Sequence, residues 1–337
     1  MTSRGIIIEL ERETRMPTPL TIAYSENYLK WLLGAGDGSH PTDPRRAKLA
    51  TEILVERLGD QVRVVEPAWT AATREAVESI HDPSYVSAVV DDGRSSEWEG
   101  LKTELGETAL LMFEGTKVLV EQMLAGDTTV GFNPQGAKHH AQYAHGEGFC
   151  VFNDMAWAAV ELKKAGLKPL YIDWDVHAGN GVQDLLGDTD IPTLSIHRYN
   201  IYPSHSDVWD PKRPGGGNYE YHNPESHWYN WCLEGGGGDK DLAWAMEGVA
   251  EKVHEYKPNI ILLATGADGH KHDRWGMKYT RKGFKASAAV VADLADKYCH
   301  GRVLIGGAGG YVPTTTTPKV WADVVEVIYR RSVGDSK

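Results

Sequence analysis

Asp173, Asp175 and His177 stand two residues apart at the end of the apolar run Pro169-Leu-Tyr-Ile172, and Gly179 and Gly181 close the stretch. In an extended backbone, residues two apart point to one side. A carboxylate and an imidazole converging on one point suit a metal such as zinc. Asp173 has the same parity. It is either a third ligand or a carboxylate that orients a histidine from behind. Asp-x-Asp-x-His alone also describes a loop whose polar residues merely cap a helix. Three further loops decide the matter: Gly136-Ala-Lys-His139-His140 after a run ending at Phe132, Gly266-Ala-Asp268 after Ala264, and Gly306-Gly-Ala-Gly-Gly-Tyr311 after Ile305. Each is weak singly, since paired histidines often bond within a surface loop and a glycine-rich loop is often a turn. Together they make a hydrolytic set. Asp175, His177 and Asp268 give two oxygens and one nitrogen, leaving a metal an open position for water and substrate. The histidine pair supplies a general base near neutral pH. Tyr311 can donate a hydrogen bond to a developing oxyanion.

These loops need a scaffold that brings them together. Short apolar β-leaning runs at Thr21–Tyr24, Val62–Val65, Thr129–Phe132, Pro169–Ile172, Pro192–His197, Asn259–Ala264 and Arg302–Ile305 alternate with helical patterns. The helices are expected from Pro44 to Leu58, over a short span after His81-Asp-Pro-Ser-Tyr-Val86, and over 107–125, 155–165, 239–256 and 280–298, with a last one from Thr317-Pro318. Alternation of this kind predicts an α/β fold with a mostly parallel sheet, whose strand-end loops gather at one edge. No repeat or linker interrupts it. The expected organisation is an arm over 1–20 followed by one catalytic domain over 21–333. The polar stretch 91–106 reads as an exposed loop, and 198–238 as a long loop-rich region.

The chain has 337 residues, 41% hydrophobic and 24% charged, the composition of a water-soluble globular protein. Lys and Arg total 35 against 47 Asp and Glu, a net charge of -12, which argues against nucleic-acid binding as the main activity. Cys150, Cys232 and Cys299 are far apart and unpaired in pattern, as in a reducing cytoplasmic compartment. No signal peptide or membrane span is expected.

In order along the chain, several blocks resemble the zinc-dependent histone deacetylase superfamily, which includes acetoin-utilisation proteins and acetylpolyamine amidohydrolases. The blocks are His40-Pro41 with Pro44-Arg-Arg46, His81–Tyr85, His139-His140-Ala, Gly148–Asp154, Asp173–Gly181, Ser195-Ile-His197, Gly266-Ala-Asp268 with Asp273, and Gly309-Gly-Tyr311. The resemblance implies an arginase-like three-layer fold with the metal at the carboxyl ends of the strands. It implies Asp175, His177 and Asp268 as ligands of zinc, with iron(II) as the alternative metal, and Asp173 as the partner of His139. A structural potassium would be held by Asp173, Asp175, His177, Ser195 and Ile196. Gly148, Phe149 and Tyr202 would line the acyl tunnel, with Asp91 or Asp92 at its mouth, and Arg46 would lie on an acetate-release path. The implied reaction is hydrolysis of an N-acetylated primary amine, acetyl-lysine first and an acetylpolyamine or other small acetylated amine second. His140 would act as general base and acid, and Tyr311 as oxyanion donor.

The sequence departs from the family pattern at four places. Asn180 stands where many members carry an aspartate behind the second histidine, so His140 should titrate lower than with a carboxylate partner. Ala178 replaces a frequent histidine that is not a ligand. Ala308 replaces a loop glycine. The region 204–238, with His205, His222, His227, Trp209, Trp228 and Trp231, does not align, and suits either a tunnel rim or a contact in a homo-oligomer. Two other readings differ in class. A ligand-binding relative without catalysis is disfavoured by the complete catalytic set. A binuclear manganese ureohydrolase would need more carboxylates than Ala178-Gly-Asn180 provides.

Overall fold

The computed structural model describes residues 18–33, 41–203 and 217–334. His40, His205, Trp209 and most of the expected 1–20 arm therefore lie outside the described residues. Nine strands form one sheet: β1 (Leu20–Ala23), β2 (Val62–Val65), β3 (Val130–Asn133), β4 (Pro169–Asp173), β5 (Thr193–Arg198), β6 (Tyr219–Asn223), β7 (Trp228–Leu233), β8 (Ile260–Thr265) and β9 (Val303–Gly307). Their order is β2-β1-β3-β9-β8-β4-β5-β7-β6. All neighbouring pairs are parallel except β6 with β7. The α/β class and mostly parallel sheet expected from the sequence are both present.

The helices are α1 (Arg45–Leu58), α2 (Ala71–Glu78), α3 (Pro83–Val90), α4 (Thr103–Ala125), α5 (Asp154–Lys164), α6 (Asn180–Leu186), α7 (Asp239–Tyr256), α8 (Arg281–Cys299) and α9 (Thr317–Ser332). Local chemistry sets several starts. Asp82 accepts from the amides of Ser84 and Tyr85 ahead of α3, Asn153 from Ala156 at α5, and Thr280 from Gly283 at α8. Gly126, at φ +81°, ends α4 in the left-handed conformation that glycine adopts freely.

Strand residues alternate between two cores, as period-two geometry requires. Leu170 and Ile172 of β4, with Ile261 and Leu263 of β8, pack on α1, α7, α8 and α9. Tyr171, Ile260, Leu262 and Ala264 face the opposite core, under α2 to α6. The result is a three-layer arrangement of helices, sheet and helices. β3, β9, β8 and β4 are consecutive in the sheet, and they are the four strands whose trailing loops carry the polar set.

Two expectations need correction. The 91–106 stretch is not wholly an exposed loop. α4 begins at Thr103, and Trp98 is buried with its indole Nε1 donating to Gly93 O at 2.8 Å and its ring edge-on to Trp31. One large aromatic outweighs the polarity around it. The 198–238 region is not continuous loop either, because it contains β6 and β7. Register pairs His222 with Tyr229 and Asn223 with Trp228, so a polar strand is held by its neighbour's aromatics at the sheet edge.

Candidate functional site

The β4 loop supplies Asp175 and His177, and the β8 loop supplies Asp268. All three are buried, and their donor atoms lie within 4.8 Å of one another. His177 Nδ1 is 2.9 Å from Asp175 Oδ1 and 3.1 Å from Asp268 Oδ2. Backbone amides hold the other oxygens: Val176 N donates to Asp268 Oδ1, and Gly309 N to Asp175 Oδ2. A Cβ on Gly309 would stand 2.3 Å from Asp268 Oδ2, so glycine is required where the β9 loop crosses the cluster.

The chemistry of this donor set suits a divalent cation. Asp268 Oδ2 is buried without a hydrogen-bond partner of good geometry. Burial and the adjacent Asp175 charge push Asp268 up to about 7. Although burial opposes it, Asp175 and Asp268 raise His177 to about 10. Protons thus balance two crowded carboxylates, a balance that a cation would displace.

The β3 loop brings the histidine pair alongside, with ring centroids 4.0 Å apart. His139 Nδ1 lies 2.7 Å from Asp173 Oδ2. Asp173 also accepts from the Tyr171 hydroxyl at 2.7 Å and the Asp175 amide at 2.9 Å. His140 Nδ1 lies 2.7 Å from Asn180 Oδ1, at the start of α6. Asn180 Nδ2 faces the Glu147 carboxylate, 3.4 Å away, which accepts only and so orients the amide. The two rings titrate in opposite directions. Against the effect of burial, Asp173 and Asp175 raise His139. Burial, with His139 and His177 beside it, holds His140 well below the usual imidazole range.

Aromatic rings enclose the cluster. Tyr202 is 5.2 Å from the His140 ring, Trp275 is 4.4 Å from His177, and Tyr311 is 6.5 Å from His177 and 6.4 Å from Phe149. Gly148 lets the wall close in, since its Cβ would meet His140 Cδ2 at 2.5 Å. The Tyr311 amide donates to Asp273, and burial with the nearby Asp268 and Asp175 charges keeps its phenol protonated. Arg46 donates to Gly310 O at 2.8 Å and lies 6.0 Å from the Tyr311 ring.

Residues 40–328 match the model of the histone deacetylase domain. The chain belongs to that family. It is 28% identical over 322 residues to the acetoin utilization protein AcuC of Bacillus subtilis (strain 168), covering 89% of this chain and 80% of that one. Histone deacetylase 8 of Xenopus tropicalis is 27% identical over 310 residues, which span 86% of this chain and 79% of the relative. The solved HDA15 HD domain shares the fold, with a TM-score of 0.74 at 23% identity, covering 94% of this chain and 89% of that one.

The structure thus brings Asp173, Asp175, His177, Asp268, His139, His140, Asn180, Gly148, Phe149, Tyr202, Arg46 and Tyr311 to one edge of the sheet. Ser195 and Ile196 lie on β5, with Ser195 opposite Asp173. Asp91 and Asp92 each pair with an arginine. Arg74 grips Asp91 through two bonds of 2.7 and 2.8 Å, and Arg94 pairs with Asp92. Two other carboxylates meet the aromatic walls. Glu97 accepts from the Phe149 amide, and Glu147 accepts from the Tyr202 hydroxyl. Sequence reasoning missed Glu147, as it missed Trp275. Tyr171 was legible, since it lies two residues before Asp173 and shares its face.

Proposed function

We propose that this member of the histone deacetylase family is a zinc-dependent amidohydrolase that removes an acyl group from a primary amine, such as the lysine side chain. The observation that carries the reading is the convergence on one buried point of the Asp175, His177 and Asp268 donors with a neutral His140. A zinc ion held by those three side chains would polarise the acyl carbonyl and lower the pKa of water toward about 7. The protein's own groups do the rest. His140 donates from Nδ1 to Asn180, which leaves Nε2 free to take a proton from the attacking water. The same Nε2 returns that proton to the amine nitrogen as the carbon–nitrogen bond breaks. His139, paired with Asp173, steadies the charge. Tyr311, protonated, donates to the oxygen that becomes negative. Phe149, Tyr202 and Trp275 exclude water from the acyl chain. Iron(II) is the alternative metal for the same donors. The reading includes a structural potassium at Asp173, Asp175, His177, Ser195 and Ile196, as the family resemblance implies.

Glu97 and Glu147 give the outer wall a negative character, which supports a substrate that carries further cationic amines. Turnover of an acetyl-lysine peptide and of acetylspermidine, measured side by side, tests the reading. Hydrolysis of either is expected, and no release of acid from any N-acylated amine would overturn it. Among the described residues no helix is long and apolar enough to cross a membrane.

A further inference from the structure

Lys138 immediately precedes the histidine pair, and the mechanism above does not use it. Its side chain is buried, at 7% exposure. The ammonium makes no ion pair or hydrogen bond among the described residues; it lies 6.0 Å from the centroid of the Trp31 ring. Asp154 is in the same neighbourhood, but its oxygens are taken by the Thr116 hydroxyl and the amides of Ala137 and Lys138. Arg46 is a second buried cation, at 5% exposure, and it too forms no ion pair among the described residues. Its Nε has no partner, and its guanidinium lies between Tyr311 and Trp321, 6.0 and 5.0 Å from the two rings. Gln135, on the Lys138 loop, is buried with both amide atoms unpartnered. Buried charges are ordinarily paired. Here two cations that repel each other share the interior; Asp175, Asp268 and Asp273 act on Arg46 and Asp154 on Lys138, but none forms an ion pair with either cation among the described residues. Burial pushes Lys138 down to about 8, with Cys150 opposing and Arg46 reinforcing the effect, so it remains largely charged near neutral pH.

The two unpaired cations lie on one side of the site. The outer wall, where Tyr202 is 39% exposed, carries Glu97 and Glu147, whereas the interior holds Arg46 and Lys138 beside the carboxylates of the metal cluster. An amine belongs at the acidic end. An acyl chain enters toward the basic end. One carboxylate would satisfy Arg46 alone, and Lys138 calls for a second negative charge.

We infer that Lys138 and Arg46 form a carboxylate subsite behind the acyl carbon, and that the preferred substrate is a primary amine acylated by a short dicarboxylic acid, such as a succinyl-lysine side chain. The inference rests on the amidohydrolase reading given under Proposed function. The reaction balances as ordinary hydrolysis. Water adds OH to the amide carbon, the carbon–nitrogen bond breaks, the remaining proton and then the proton of the new carboxyl group go to the amine nitrogen, and the products are a dicarboxylate and an ammonium.

The test compares succinyl-lysine and acetyl-lysine peptides of identical sequence, with wild-type enzyme and Lys138→Met, which keeps the side-chain volume and removes the charge. The wild type is expected to have the higher kcat/KM on the succinyl peptide. The succinyl-to-acetyl ratio should fall about 10- to 100-fold in Lys138→Met, the worth of one charge-assisted hydrogen bond. A wild type that hydrolyses only the acetyl peptide, or a ratio unmoved by the substitution, overturns the subsite and leaves the amidohydrolase reading intact. If neither peptide is cleaved, the amidohydrolase reading fails, and calorimetric titration with succinate decides the subsite separately. Saturable binding weakened by Lys138→Met supports it, and no binding by the wild type overturns it.

Discussion

His139 and His140 are neighbours in sequence with rings 4.0 Å apart, yet their surroundings drive them in opposite directions. His139 rests on the Asp173 carboxylate and is raised, while His140 rests on the Asn180 amide and is held well below the usual range. Burial acts alike on both. The difference lies in the neighbouring charges: Asp173 and Asp175 raise His139, whereas His139 and His177 lower His140, whose Asn180 partner is neutral and raises it only by its hydrogen bond. A site that needs both a proton acceptor and a fixed positive charge can thus draw them from a single dipeptide. His81 is the control. Equally buried, it donates only to the carbonyls of Gln142 and Tyr143 and accepts from the Asn153 amide, and burial lowers it to about 4.

The strongest way to break this contrast is to delete each ring. His140→Ala should reduce kcat on an acylated lysine peptide by about 10²- to 10⁴-fold, the range for general acid–base catalysis. His139→Ala should cost less, and equal losses would mean that the two rings share one role. Tyr311→Phe comes next, with an expected loss of about 10²- to 10³-fold in kcat and little change in KM. A variant with full kcat would remove Tyr311 from the oxyanion.

A smaller effect should appear in stability. With His81 near 4 folded and about 6.5 unfolded, the unfolded chain binds the extra proton between those values. Stability should therefore be complete above pH 6.5 and fall by about 3 kcal/mol as pH drops toward 4. Urea midpoints of the wild type and His81→Gln, compared at pH 7 and 4.5, check it. The variant should lose less on acidification, and parallel losses would show that His81 is not buried in its neutral form.

The finest test is Asn180→Asp. A carboxylate behind His140 favours the protonated ring, so less free base remains at low pH. The acid limb of kcat/KM should move to higher pH, with activity at pH 6 reduced more than at pH 8. An unmoved limb would mean that Asn180 does not tune His140.

Much of this site could be read from the chain because its residues sit directly after apolar strands. Asp175, His177 and Asp268 needed only strand parity and the rule that parallel strand ends face one edge. The rim was less legible. Asp91 and Asp92 are acidic and suitably early in the chain, but Arg74 and Arg94 claim them through local pairs that spacing does not reveal. Glu97 and Trp98 lie in a stretch that reads as polar, and only burial of the tryptophan draws it inward. β6 and β7 were hidden because glycines flank them, and because Tyr-Glu-Tyr-His-Asn relies on its neighbour's aromatics rather than on an apolar face of its own. Lys138 was visible as a residue but not as an unpaired interior charge, which depends on where every nearby carboxylate points.

The central claim is that Asp175, His177 and Asp268 hold the metal on which amide hydrolysis depends. The most direct measurement is release of acid from an acylated lysine peptide by the protein as purified, after chelation, and after one equivalent of zinc is restored, with metal content determined at each stage. The account predicts one metal ion per chain, loss of activity with its removal and recovery with zinc, and no recovery in Asp268→Asn. Undiminished hydrolysis by metal-free protein would contradict it.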